Sequence, residues 1–168
     1  MKKIGLFYSF KTNKTALIAK KIAENFDKKE IDSIDAEEVT EDMFTAYDNL
    51  ILGCPTWFDG ELPNYWDEFV PAIEDLDLKG KKIAIYGNGD QKGYPENFCD
   101  AVGLMAGILE KQGAEIVGFT SADGYTFESS SALRNDKFCG LALDFENQAK
   151  QNNKRVEDWC TQLKKEFN

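Results

Sequence analysis

Ser9, Phe10, Lys11, Thr12, Asn13, Lys14 and Thr15 ("SFKTNKT") set hydroxyl, amide and lysine side chains in one polar turn, straight after an apolar run. A helix beginning near Lys14 would aim its free backbone N–H groups and the positive end of its dipole back at that turn. Thr12, Asn13 and Thr15 would add short donors, and such a nest can hold a phosphate without a metal. The turn has neither the GxxxxGK[ST] of nucleotide-binding P-loops nor GxGxxG. A plain polar strand-to-helix turn ending in an N-cap has a similar composition, so the nest gains weight only from what lies beside it.

Two more loops supply that company. "PTWFDGEL" carries Thr56, Trp57, Phe58, Asp59 and Gly60 at the end of an apolar run, and "GNGDQKGY" carries Asn88, Gly89, Asp90 and Tyr94 after the next one. The glycines of the second loop do not make a dinucleotide fingerprint, because the third is displaced by one residue and the loop follows the fourth strand. Trp57 and Tyr94, on neighbouring loops, could clamp a flat ring, since aromatic rings stack with centroids about 4.5–7 Å apart. A phosphate nest, two aromatics and Asp90 together point to a planar, phosphorylated ligand. No histidine is present, which removes the commonest general base and the usual haem ligand. Cys54, Cys99, Cys139 and Cys160 form no CxxC pair, so metal chemistry is not expected and the thiols read as reduced and packed.

These loops need a scaffold that brings strand ends together. β-favouring runs recur at Lys3–Tyr8, Ile31–Ile34, Asn49–Cys54, Lys82–Tyr86 and Glu115–Phe119. Helical spacing over Thr15–Phe26, Phe98–Lys111 and Lys154–Phe167 separates or follows them. Alternation of this kind predicts an α/β fold, a doubly wound parallel sheet covered by helices on both faces. In such sheets a ligand sits outside the carboxyl ends of the strands, where the three loops lie. Residues 121–137 interrupt the pattern with a polar, turn-rich insertion before "KFCGLALD" resumes an apolar run, as if the fifth strand were split.

The length of 168 residues predicts a single domain spanning 1–168. Twenty basic against thirty acidic side chains leave a net charge of −10, which disfavours nucleic acid and favours a basic protein partner. No apolar run reaches the roughly 20 residues that cross a bilayer, and the amino terminus lacks a signal-peptide pattern. The expected location is the cytoplasm.

The blocks "KIGLFYSFKTNKT", "LILGCPTWFDGEL", "GNGDQKGYPENFCDA", "TSADGYTFESSSALRNDKFCGLALDFENQ" and "RVEDWCTQLKKEF" together resemble the long-chain flavodoxins over essentially the whole chain. The resemblance implies a five-stranded sheet of order 2-1-3-4-5, with FMN at the reversal between the first and third strands; that order belongs to the family and not to the pattern of runs. It implies further that Ser9–Thr15 binds the FMN phosphate, that Trp57 and Tyr94, in the Pro55–Leu62 and Gly87–Tyr94 loops, flank the isoalloxazine, that Asn88–Asp90, Asn97 and Cys99 line the ring's polar edge, and that Glu146 lies near the ribityl chain.

The implied role is that of a low-potential one-electron carrier, not a substrate-converting enzyme. Its partners would be basic redox proteins, such as flavodoxin or ferredoxin reductases and oxidoreductases that accept low-potential electrons, and it would act as a monomer without nucleic acid or membrane. An FMN-dependent NAD(P)H reductase, or a relative redirected to another planar ligand such as a tetrapyrrole, are the alternatives. Two residues depart from the family's T-x-T-G-x-T turn. Asn13 replaces the glycine and tolerates the left-handed region, whereas Phe10 replaces a threonine, so that a hydroxyl donor is lost and a ring is added. In the family, one-electron reduction is thought to reverse the peptide that corresponds here to Phe58–Asp59. The reversed turn calls for positive φ at Phe58, a strain of about 1–2 kcal/mol.

Overall fold

A computed structural model describes residues 1–168. Five parallel strands, β1 (Ile4–Tyr8), β2 (Ile31–Asp35), β3 (Asn49–Gly53), β4 (Lys82–Asn88) and β5 (Glu115–Val117), stand in the order β2-β1-β3-β4-β5. β3 is buried along its whole length, as its unbroken apolar run demands of a central strand covered on both faces. Helix α1 (Lys14–Ala23) follows β1; α2 (Glu41–Thr45), α3 (Asn64–Asp67) and α4 (Val70–Ile73) are single turns; α5 (Asp100–Lys111) follows β4. Only α1 and α5 among these carry a sustained 3.6-residue stripe. The crossovers through α2 and through α3–α4 are therefore short turns anchored by buried aromatics, Phe44 in the first and Tyr65, Trp66 and Phe69 in the second.

After β5 the chain leaves the sheet. β6 (Thr120–Ser121), β7 (Leu133–Arg134) and β8 (Lys137–Phe138) form a small antiparallel sheet of order β6-β8-β7. The chain then returns as β9 (Leu141–Leu143), which pairs with β4 through Tyr86–Leu141, Gly87–Ala142 and Asn88–Leu143. Because β5 pairs with the first half of β4 and β9 with the second, the insertion does split the fifth strand position. Its rings join the main core: Phe127 stacks on Phe98 at 5.3 Å and Tyr125 meets Phe138 edge-on at 5.0 Å.

The last helix, α6 (Phe145–Glu166), begins nine residues before the predicted Lys154, with a first short turn set off from the rest by a kink at Gln148, whose φ is −136° and ψ 33°. The early turns are polar and show no apolar stripe, but Asp144 caps them, accepting a hydrogen bond from the Asn147 N–H at 2.9 Å. Two apolar layers result. One lies under α1 and α6, with Ile18, Ile22, Trp159 and Leu163; the other lies under α5, α3 and α4, with Val102, Met105, Trp66 and Ile73. No helix is long and apolar enough to cross a membrane.

Candidate functional site

The C-terminal ends of β1, β3 and β4 gather the three loops. At the first, α1 has no side-chain cap, and none of the N–H groups of residues 13–16 meets a protein acceptor. The hydroxyls expected to join them are engaged elsewhere. The Ser9 Oγ donates to Glu37 at 2.7 Å, Thr12 Oγ1 to the Ser9 carbonyl at 2.7 Å, and the buried Thr15 Oγ1 to Asn88 Oδ1 at 3.2 Å. The nest is thus a backbone nest, flanked by Lys11 and by Lys14, which pairs with Glu146. Asn13 has φ −96° and so makes no use of its tolerance for the left-handed region. The Phe10 N–H donates to Asp35 Oδ1 at 3.3 Å, and the half-exposed Phe10 ring rests on Tyr8 with centroids 4.9 Å apart.

Beyond the nest opens a cleft of about 460 Å³ lined by Thr56, Phe58, Asp59, Gly89, Asp90, Tyr94 and Asn97, all of them sequence candidates. Its aromatic walls are Phe58, 72% exposed, and Tyr94, 61% exposed. Trp57 is not among the lining residues. It is half-buried and meets Phe58 edge-on at 6.4 Å and Tyr65 at 5.9 Å. The cause is the turn itself: Trp57 and Glu61 exchange two backbone hydrogen bonds of 2.9 and 2.8 Å, leaving Phe58, Asp59 and Gly60 to close the loop. Phe58 takes φ 50° and Gly60 φ 90°. The positive φ expected of Phe58 only in a reversed turn is already present.

Cys99 also departs from expectation. It is fully buried, at φ 52° at the start of α5, and a Cβ on Gly89 would lie 3.2 Å from its sulfur. Cys99 therefore supports Gly89 from within the core instead of lining the cleft, and burial pushes its thiol well above the ordinary range. Thr56 reaches across to accept from the Ala101 N–H at 3.1 Å, which ties the second loop to α5.

The Tyr94 wall is built on a turn around Asp90, which accepts from the N–H groups of Gly93 and Lys92 at 2.8 and 3.1 Å. These bonds, with one from the Asn147 amide at 2.8 Å, hold the Asp90 carboxyl below its usual range. Gln91, Asp144 and Asn147, which complete this arrangement, were not candidates in the sequence. The "LALDFEN" junction held a usable signal, since an Asp before a new helix is a cap. Charge holds a second missed signal. Between Lys29 and Lys79 stand fifteen of the thirty acidic side chains and no lysine or arginine. That stretch contributes Thr56, Phe58 and Asp59 to one side of the cleft, and the rest of the chain is net positive.

Comparisons with known proteins bear on the family and the fold. The family model "Flavodoxin" matches residues 6–159. A flavodoxin of Nostoc sp. is 43% identical over 99% of this chain and 98% of its own, and flavodoxin 1 of Escherichia coli is 42% identical over 97% and 93%. The crystal structure of Fusobacterium nucleatum flavodoxin bound to flavin mononucleotide superposes with a TM-score of 0.94 at 38% identity, covering 100% of both chains.

Proposed function

The chain belongs to the flavodoxin family, and from that premise we propose that its three loops hold FMN and that it carries single electrons between redox proteins. The observation that carries the reading is the joining of an uncapped, backbone-lined nest at residues 13–16 to a cleft walled by Phe58 and Tyr94. The residues present fit the group, since four free N–H groups suit a phosphate and two exposed rings suit a planar heterocycle. When bound, FMN supplies the one-electron chemistry, and the protein supplies binding, orientation and electrostatics.

Each part of the chain then has a task. Residues 13–16, with Lys11 and Lys14, receive the phosphate. Phe58 and Tyr94 cover the ring and keep water from its faces. Thr56, Asp59, Asn88, Gly89, Asp90 and Asn97 offer polar atoms to its edge, and Glu146 with Lys14 stands beside the connecting chain. Asp59 and Asp90 place negative charge at the site within a chain of net charge −10, which disfavours adding more and keeps the potential low. The same one-sided field suits a basic redox partner. Four buried, unpaired thiols fit a reducing compartment such as the cytoplasm, and we take the working unit to be the monomer, with neither nucleic acid nor membrane as a partner.

The absorption spectrum of the purified protein, followed by titration of apoprotein with FMN, tests the reading. A flavin spectrum and one-to-one binding are expected, and a colourless protein that ignores FMN would overturn it. Steady-state NADPH oxidation by the isolated protein should be negligible. Electron transfer to a basic partner should slow as the Debye length shrinks from about 30 Å at 0.01 M salt to about 8 Å at 0.15 M.

A further inference from the structure

Asp144 is completely shielded from solvent, and no lysine or arginine forms an ion pair with it. Its carboxylate instead accepts four hydrogen bonds: from the Gln91 N–H and side-chain amide at 3.0 and 2.8 Å, and from the Asn147 N–H and side-chain amide at 2.9 and 2.9 Å. Burial alone would raise its pKa, but these donors outweigh that and hold it below the ordinary range. A buried carboxylate satisfied only by two amide residues ties together the two segments that carry them.

Those segments lead to the cleft. The Asn147 side-chain amide donates to Asp144 and also to Asp90, at 2.8 Å. Asp90 holds the turn whose Tyr94 N–H bonds to the Asp90 carbonyl at 2.9 Å. Gln91 sits inside the same turn, and its Oε1 accepts from the Thr126 N–H of the insertion at 2.6 Å. An unbroken chain of hydrogen bonds therefore runs from the insertion through Gln91, Asp144, Asn147 and Asp90 to Tyr94.

We propose that Asp144 is a positioning residue for the flavin ring: through Gln91 and Asn147 it sets the Tyr94 wall of the cleft, with the insertion as its buttress. The proposal rests on the reading that the cleft takes FMN. It separates Asp144 from an ordinary helix cap, because a cap on α6 supports the fold alone, whereas this carboxylate also governs a wall of the site. Asp144→Asn keeps the size but exchanges one acceptor oxygen for a donor that faces donors. Asn147→Ala keeps the backbone cap bond but removes the side-chain amide that joins Asp144 to Asp90, at an exposed residue.

The experiment titrates wild-type and variant apoproteins with FMN and with riboflavin, and follows their urea unfolding. FMN binding by the wild type tests the underlying reading by itself. A hydrogen bond to a charged group is worth about 1.5–3 kcal/mol, so Asp144→Asn should weaken ring binding by roughly 10- to 100-fold, and Asn147→Ala by a smaller factor of about 3 to 10. The loss should be equal for FMN and riboflavin, because the nest at residues 13–16 is untouched. Stability should fall for Asp144→Asn and less for Asn147→Ala, which leaves the Asp144 carboxylate three of its four donors. If both variants bind riboflavin as the wild type does, whatever their stability, Asp144 is only a cap and the proposal fails. It also fails if the loss is confined to FMN, which would trace the effect to the phosphate nest. Should Asp144→Asn not fold, Asn147→Ala decides the matter alone.

Discussion

The two aromatic walls of the cleft are made in opposite ways. The Phe58 wall is a three-residue turn clamped by one backbone pair, Trp57 with Glu61, and it carries two residues at positive φ. The Tyr94 wall has no positive-φ residue and is held by side chains from distant parts of the chain, Asn147 and Asp144 lying more than fifty residues away from Asp90 and Gln91. A wall made by local backbone geometry answers to conformational strain; one made by a buried polar network answers to charge and to hydrogen bonds. Substitutions should therefore act on the two walls by different rules.

The largest effect is expected at the root of the network. Asp144→Ala strips four hydrogen bonds, leaves the Gln91 donors without partners and removes the cap of α6. Unsatisfied buried donors cost about 1–3 kcal/mol and a lost cap about 1 kcal/mol, so a loss near 3 kcal/mol is expected in urea unfolding of the apoprotein. A loss below about 1 kcal/mol would show that the network carries little energy and that the walls differ less than their geometry suggests.

The network also responds to acid. With its folded pKa lowered from an unfolded value of about 3.9, Asp144 contributes stability that is present above that pH and lost as pH falls through the folded value. The stability gap between the wild type and Asp144→Asn should narrow as pH drops from about 5 toward about 3. A constant gap would mean that the carboxylate's charge is not what the Gln91 and Asn147 donors recognise.

On the other wall the expected costs are steric. Gly60 stands at φ 90°, and a Cβ there would lie 2.6 Å from Asp100 Oδ2. Asp100 has little room to retreat, because it is buried and its Oδ1 accepts from the Ser131 N–H at 2.7 Å. Gly60→Ala should therefore cost about 2 kcal/mol, through left-handed strain and the push on Asp100. A neutral substitution in thermal unfolding would show that the turn relaxes without the Trp57–Glu61 pair.

The contrast also explains what the sequence revealed. Strands such as Asn49–Gly53 and helices such as Asp100–Lys111 announce themselves by runs and stripes, because one buried face dictates the residue types. The seven residues that line the cleft were all foreseen, since loops after strands are where polar and aromatic residues stand without a core to justify them. The roles within the loops were less visible. Trp57 and Phe58 are adjacent, and only the backbone pair with Glu61 decides which ring faces the cleft. Ser9 and Thr15 look like phosphate donors by composition, yet Glu37 and Asn88, which occupy their hydroxyls, come from 28 and 73 residues away. Gln91 and Asn147 were missed for the same reason, because a buried network is a property of the packed chain and leaves no period in the sequence.

The smallest expected effect sharpens the comparison most, because it should have opposite signs on the two properties of one residue. Phe58 holds φ 50° while its ring is 72% exposed, so it gains little from burial to offset its backbone strain. Left-handed geometry costs a non-glycine residue about 1–2 kcal/mol, and glycine loses some of that advantage through the greater freedom of its unfolded chain. Phe58→Gly should thus stabilise the apoprotein by about 0.5–1 kcal/mol in urea unfolding. Yet Phe58 is one of the cleft's two aromatic walls, and an aromatic contact with a flat ring is worth about 0.5–1.5 kcal/mol beyond its buried area. The same variant should therefore bind riboflavin at least twofold to tenfold more weakly. A variant that gains stability and loses ring affinity would show that Phe58 is kept for the ligand against the preference of its own backbone. If affinity is unchanged, the Phe58 ring does not cover the flavin, and the cleft has Tyr94 as its only aromatic wall.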